Sequence, residues 1–151
     1  MDKIVIKSES PFNRDSKMLM NELSYILETI TGSSGRSSFD SNDVIVSRSL
    51  FVIARNDLDE AIGCGAYRPI NNEIAEIKRM YTKIKSHGVG SKILSYLELN
   101  ANKMGYKKLW LETRVVNVNT VKFYKKRGYN EIVNYGKYKG KKDSICFEKN
   151  L

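Results

Sequence analysis

Lys83-Ile84-Lys85-Ser86-His87-Gly88-Val89-Gly90-Ser91-Lys92 is the stretch on which the fold turns. The run before it, Ile74 to Thr82, reads as a β-strand. After it, Val89, Ile93, Leu94, Leu97, Ala101 and Met104 keep the spacing of an amphipathic helix that Gly105 stops. A strand, a glycine-containing turn and a helix start together make an anion site. The glycines let the backbone approach, and the free N–H groups of the first helical turn point at the anion along the helix dipole. Lys83, Lys85 and Lys92 add positive charge. The plainer alternative is an ordinary helix start with glycines for turn geometry. It is not a Walker loop, because no Gly-Lys-Ser/Thr follows at the right distance, and not a dinucleotide turn, because position 93 is Ile.

Reading outward, Ile4-Val5-Ile6 is a short strand, and Asp15 or Ser16 is the expected cap of a helix carrying Met18, Leu19, Leu23, Ile26, Leu27 and Ile30, ended by Gly32. From Gly32 to Asp43 the chain is polar, Ser-rich and aperiodic, which predicts a mobile surface loop. Leu50–Ala54 and Ala61–Tyr67 form a hairpin, and Ile74–Thr82 completes an antiparallel meander. Tyr106–Thr113 is a central strand, Asn117 or Asn119 caps a last helix ending at Gly128, and Tyr129–Tyr135 pairs with Ser144–Phe147. The order β-α-loop-β-β-β-α-β-α-β-β predicts an α/β protein: a mixed sheet of about seven strands with helices on both faces.

The 151 residues, 41% hydrophobic and 28% charged, suit a single domain over 1–151. No stretch reads as a membrane span or signal peptide, so a cytoplasmic protein with no membrane partner is expected. Cys64 and Cys146 sit in apolar runs without a metal-spaced partner, and both read as buried thiols; no metal site is expected. A formal charge of +9 calls for an anionic partner. The cations are scattered rather than stacked on one helix, which disfavours nucleic acid and is compatible with a phosphorylated cofactor.

Lys85-x-x-Gly88-x-Gly90 resembles the Arg/Gln-x-x-Gly-x-Gly/Ala motif of the GNAT superfamily of N-acetyltransferases, with Lys at the first position. Its flanks resemble the family as well: Ala75–Thr82 before the turn, then Leu111-Glu112-Thr113, Asn117 and Tyr124-x-x-x-Gly128-Tyr129 after it. Gly63-Cys64-Gly65-Ala66, Phe39-Asp40 and Ser144–Lys149 also fit small bacterial members.

The resemblance implies a mostly antiparallel sheet whose central parallel pair splays apart to take acetyl-CoA. Backbone groups of Met80 and Thr82, flanking Tyr81, would pair with the pantetheine amides. The pyrophosphate would rest on the N–H groups of His87, Gly88, Val89, Gly90 and Ser91 beside Lys85. Asn117 would cap its helix and reach the cofactor. Catalysis would fall to Glu76 as general base, Tyr124 as the hydroxyl meeting the leaving thiolate, and the Met80 N–H facing the carbonyl oxygen. Glu76 as a surface carboxylate paired with Lys78 or Arg79 is the competing reading. Arg114, where small members often carry Gly, is read as a contact for an anionic group on the acceptor. Asp40 and Asp43 would attract a cationic amine.

The expected activity is acetyl transfer from acetyl-CoA to a primary amine, by direct attack in a ternary complex. The alternatives are a CoA-binding sensor or a basic nucleic-acid-binding protein. The family also allows a homodimer.

Overall fold

A computed structural model describes residues 3–85 and 87–151. It contains a seven-stranded sheet in the order β1-β2-β3-β4-β5-β7-β6. The strands are β1 (Val5–Ser8), β2 (Leu50–Arg55), β3 (Ala61–Pro69), β4 (Ile74–Thr82), β5 (Lys108–Arg114), β6 (Asn130–Ile132) and β7 (Ser144–Asn150). Helices α1 (Arg14–Thr31), α2 (Val89–Lys103) and α3 (Val118–Lys126) cover both faces.

Alternation along β2 sorts the two faces. Phe51 and Ile53 join Leu19 and Met20 of α1, whereas Val52 and Ala54 join Val89, Ile93, Leu94 and Leu97 of α2. Each such fully buried side chain contributes about 1.5–3 kcal/mol of transfer free energy. On β3, Gly63 and Gly65 face α2 and let it lie close. A Cβ on Gly65 would come within 2.6 Å of Met80 Sδ and 2.8 Å of Ile93 Cγ2.

Two expectations need correcting. α1 is capped by Asn13, whose side chain accepts from the Ser16 N–H, and not by Asp15 or Ser16. The 32–43 loop carries two 3₁₀ turns, Arg36–Ser38 and Ser41–Val44, the second capped by Asp40. As expected, the last two strands pair with each other, β7 lying between β5 and β6.

Among the described residues β4 and β5 are the one parallel pair, and they stay paired only over Ile74–Glu76 and Lys108–Trp110. Beyond that point β4 follows β3 and β5 follows β7, and the two strands part. A bulge makes the parting sharper: Arg79 and Met80 together oppose Gly65. Arg79 takes the left-handed conformation, φ 54°, which costs a non-glycine residue about 1–2 kcal/mol.

Candidate active site

Between the splayed strands a cleft of about 160 Å³ runs through the sheet. Met80 and Ile77 line it from β4, Leu111 and Glu112 from β5, and Asn117 and Tyr124 from α3 and its approach. On the α1 side its wall is Leu23, Leu27, Gly35, Ser38 and Phe39, joined by Lys78 and Arg79. The sequence-derived residues Met80, Asn117 and Tyr124 therefore meet at one place, and Glu76 is not on the wall.

The turn at the start of α2 sits beside this cleft. Gly88 is left-handed, φ 71°, and among the described residues no side chain caps the helix. The first intrahelical bond runs from Lys92 N to the Gly88 carbonyl, so the amides of Val89, Gly90 and Ser91 have no intrahelical acceptor. A Cβ on Gly90 would lie 3.4 Å from the Phe123 ring and 3.6 Å from Thr82 Cγ2, which ties the turn to the end of β4 and to α3. Lys85, His87 and Gly88 are exposed, while Val89 is buried in the core. Ser86, within the same motif, lies outside the described residues.

Arg127 belongs to this end of the site, and sequence reasoning missed it. Its Nε donates to Ser91 Oγ at 2.7 Å, its Nη2 also reaches that hydroxyl, and its guanidinium stacks 4.0 Å from the Phe123 ring centroid. A cation held at the positive end of a helix is electrostatically adverse unless an anion sits there too.

Tyr124 is 4% exposed and packs edge-on against Phe123 and Tyr129, at 5.1 and 5.4 Å. Its hydroxyl makes no hydrogen bond among the described residues, and burial pushes the phenol well above its ordinary value of 10.0. It stays protonated and uncommitted. The Asn117 side chain likewise makes no cap bond to its helix. Tyr81, half-buried, donates to Glu22 at 2.9 Å and faces α1.

Glu76 is 4% exposed, and both its oxygens are engaged. Oε1 accepts from Arg68 Nε at 3.0 Å, and Oε2 accepts from the Tyr135 hydroxyl at 2.5 Å. Arg68 also donates to Asp43 at 2.5 Å and to the Ser38 carbonyl at 3.0 Å. This network fastens β3, β4, the 38–43 loop and the segment between β6 and β7. The pairing of Glu76 with Lys78 or Arg79 is not found; Arg68 is its cation.

Glu112, by contrast, lines the cleft. Its Oε2 accepts from Ser144 Oγ at 2.7 Å and lies 3.6 Å from Arg114 Nε, leaving Oε1 without a hydrogen bond among the described residues. Arg114 is neutralised by Glu112 and by Asp143 at 2.7 Å, so it is not a free contact for an anion. Asp40 and Asp43 are spent on a turn cap and on Arg68. Cys64 and Cys146 are free and buried, and burial raises the Cys64 thiol to about 12, so neither is a nucleophile. Among the described residues no group of His, Cys, Asp and Glu could hold a metal ion, and no helix is long and apolar enough to cross a membrane.

A mixed sheet opened at its single parallel pair, with an uncapped glycine helix start at the mouth of the opening, defines the GNAT type of fold. The sequence agrees: the acetyltransferase (GNAT) family matches residues 21–129, and the chain belongs to that family. It is thereby an acyltransferase. Over its full length it is 28% identical to an IAA acetyltransferase of Azospirillum brasilense, with 100% of both chains covered. Among solved structures it is similar to one from Klebsiella pneumoniae, with TM-score 0.83, 24% identity and 98% and 97% of the two chains covered. It is also similar to a GNAT family acetyltransferase of Elizabethkingia anophelis with acetyl-CoA bound, with TM-score 0.72, 20% identity and all of both chains covered. At these identities the two structures speak for the fold.

Proposed function

We propose that this protein transfers the acetyl group of acetyl-CoA to a primary amine by direct attack in a ternary complex. The observation that carries the reading is the parting of β4 from β5 next to an uncapped helix start. The edge of β4 facing the gap is free to pair with an extended, amide-bearing chain, and the amides of α2 beyond it are free to take a phosphate. Pantetheine and pyrophosphate have that chemistry in that order.

Acetyl-CoA supplies an activated acetyl thioester; the protein aligns and discharges it. Backbone groups of Met80 and Thr82 hold the pantetheine. The N–H groups of His87, Gly88, Val89, Gly90 and Ser91 receive the pyrophosphate, with Lys85 and Arg127 as counter-charges. At the bulge Met80 has no register partner on β3, and its N–H takes the role of stabilising negative charge growing on the carbonyl oxygen.

The incoming ammonium must lose a proton before its lone pair can form the C–N bond. Glu112 suits this step better than Glu76, because its Oε1 is uncommitted and it borders the cleft. Glu76 becomes a positioning residue that holds Arg68 and Tyr135. As the C–S bond breaks, the Tyr124 hydroxyl donates a hydrogen bond to the departing thiolate. Burial keeps it protonated, so it donates a hydrogen bond without giving up its proton, and the proton shed by the newly acylated nitrogen reaches the thiolate through solvent.

The test is amine-dependent release of free thiol from acetyl-CoA across a panel of primary amines. Saturable release with stoichiometric N-acetylated product supports the reading. Acetyl-CoA binding with no amine acetylated anywhere in the panel would favour a CoA-binding sensor instead.

A further inference from the structure

The charged groups along the cleft are paired, with two exceptions. Arg68 has Asp43 and Glu76, and Arg114 has Asp143 and Glu112. Arg79 has no carboxylate among the described residues, although it is only 9% exposed. Its Nη2 donates to the Met20 carbonyl at 2.8 Å and to Ser24 Oγ at 2.5 Å. Its Nε is buried without any hydrogen-bond partner among the described residues. The guanidinium lies 5.7 Å from the Phe39 ring centroid, and Nη1 would be 3.4 Å from a Cβ on Gly35; both residues line the cleft.

Lys78 is the second exception. The bulge turns it and Arg79 toward the same face, and its Nζ meets the neutral Tyr138 hydroxyl at 3.0 Å instead of a carboxylate. Burial pushes both side chains below their ordinary pKa values. Lys78 feels Glu76 and Glu112 but has no carboxylate within ion-pair reach among the described residues, and a buried Arg79 with none at all is costly to hold; an anion delivered with the ligand removes that cost.

We propose that the acceptor is an amine that also carries a carboxylate, and that Arg79, with Lys78 beside it, takes that carboxylate on the α1 side of the cleft. The inference rests on the acetyl-transfer reading above and names its substrate class. Leu23, Leu27 and Phe39 line the same side, so an apolar amino acid is the fitting probe.

The experiment uses leucine and leucinamide as acceptors, which share an amine and a side chain and differ in the charge. The ratio of their kcat/KM values is compared between the wild-type protein and Arg79→Gln, so that the difference in amine basicity cancels. The expected result is a fall in the leucine-to-leucinamide ratio of at least tenfold in the variant, any loss common to both acceptors cancelling in the ratio. A purely structural Arg79 would lower both acceptors equally, which overturns the proposal.

Because Arg79 also anchors α1, a second measurement uses the wild-type protein alone. In the CoA-loaded protein, N-acetylleucine shifts the NMR resonance of the Arg79 Nε–H, and N-acetylleucinamide leaves it in place. Equal shifts, or none, overturn the carboxylate assignment while CoA binding leaves acetyl transfer standing. Failure of CoA itself to bind removes both.

Discussion

The Tyr135 hydroxyl donates to Glu76 Oε2 at 2.5 Å, on the far side of the carboxylate from Arg68 Nε at 3.0 Å. A carboxylate held from both sides and shut from solvent is placed to fix walls, whereas Glu112 keeps an oxygen free at the cleft. Glu112→Gln is therefore expected to lower kcat by about 10²–10⁴-fold. Tyr135→Phe leaves Glu76 short of a partner and is expected to destabilise the fold by about 1–3 kcal/mol while keeping most of kcat. A kcat retained in Glu112→Gln and lost in Glu76→Gln would return the base role to Glu76.

Tyr124→Phe separates packing from chemistry. The hydroxyl has no partner to lose, so the melting temperature should move by no more than about 1 °C, the equivalent of a few tenths of a kcal/mol. With its hydrogen bond to the thiolate removed, kcat should fall about tenfold or more at an unchanged KM for acetyl-CoA. A variant with full kcat would show that the ring alone is what position 124 needs.

Gly65 sets the distance between β3 and α2. In Gly65→Ala the new methyl meets Met80 Sδ and Ile93 Cγ2 at 2.6 and 2.8 Å. The expected cost is about 1–3 kcal/mol in chemical denaturation. Because Met80 must shift to make room, acetyl-CoA should also bind more weakly. A variant as stable as the wild type would mean that α2 is free to move outward.

The fold has an acid-sensitive tie at Glu9. Hydrogen bonds from Arg55 at 2.8 Å to both of its oxygens hold the Glu9 carboxyl below its ordinary value of 4.5, and Arg55 also bridges to Asp15. A lowered folded-state pKa gives stability that is complete above about 4.5 and is lost as pH falls toward the folded value. Denaturation midpoints measured from pH 6 to pH 3 should fall less steeply in Glu9→Gln than in the wild type. Parallel slopes would assign the acid sensitivity to other carboxylates.

Much of this architecture could be read before any coordinates. The bounds of β4 and the start of α2 were legible because an unbroken apolar-rich run, a glycine turn and a helical period follow one another. Tyr124, Asn117 and Met80, which the resemblance singles out, line one cleft. The acceptor side was not legible, and the bulge is the reason. In plain alternation Arg79 would share the face of Ala75 and Ile77; a left-handed arginine reverses that, turning Arg79 toward α1 and Met80 toward α2. Nothing in the residue types marks such a bulge. The occupation of Glu76 also escaped, since it depends on Arg68 and Tyr135, 8 and 59 residues away. Asn13 was missed as a cap because the periodic pattern begins only at Met18, beyond the first helical turn.

The central claim is that the gap between β4 and β5, with the amides of α2 at its mouth, is an acetyl-CoA site. Thermal unfolding with and without acetyl-CoA tests it most directly. At a hundredfold excess over Kd the bound state gains about 2.7 kcal/mol, which for a chain of this size is a rise of roughly 5–10 °C. The account predicts that rise in the wild-type protein and its loss in Gly90→Trp, where the side chain would fill the approach to the α2 amides. No rise in the wild-type protein at millimolar acetyl-CoA would contradict it.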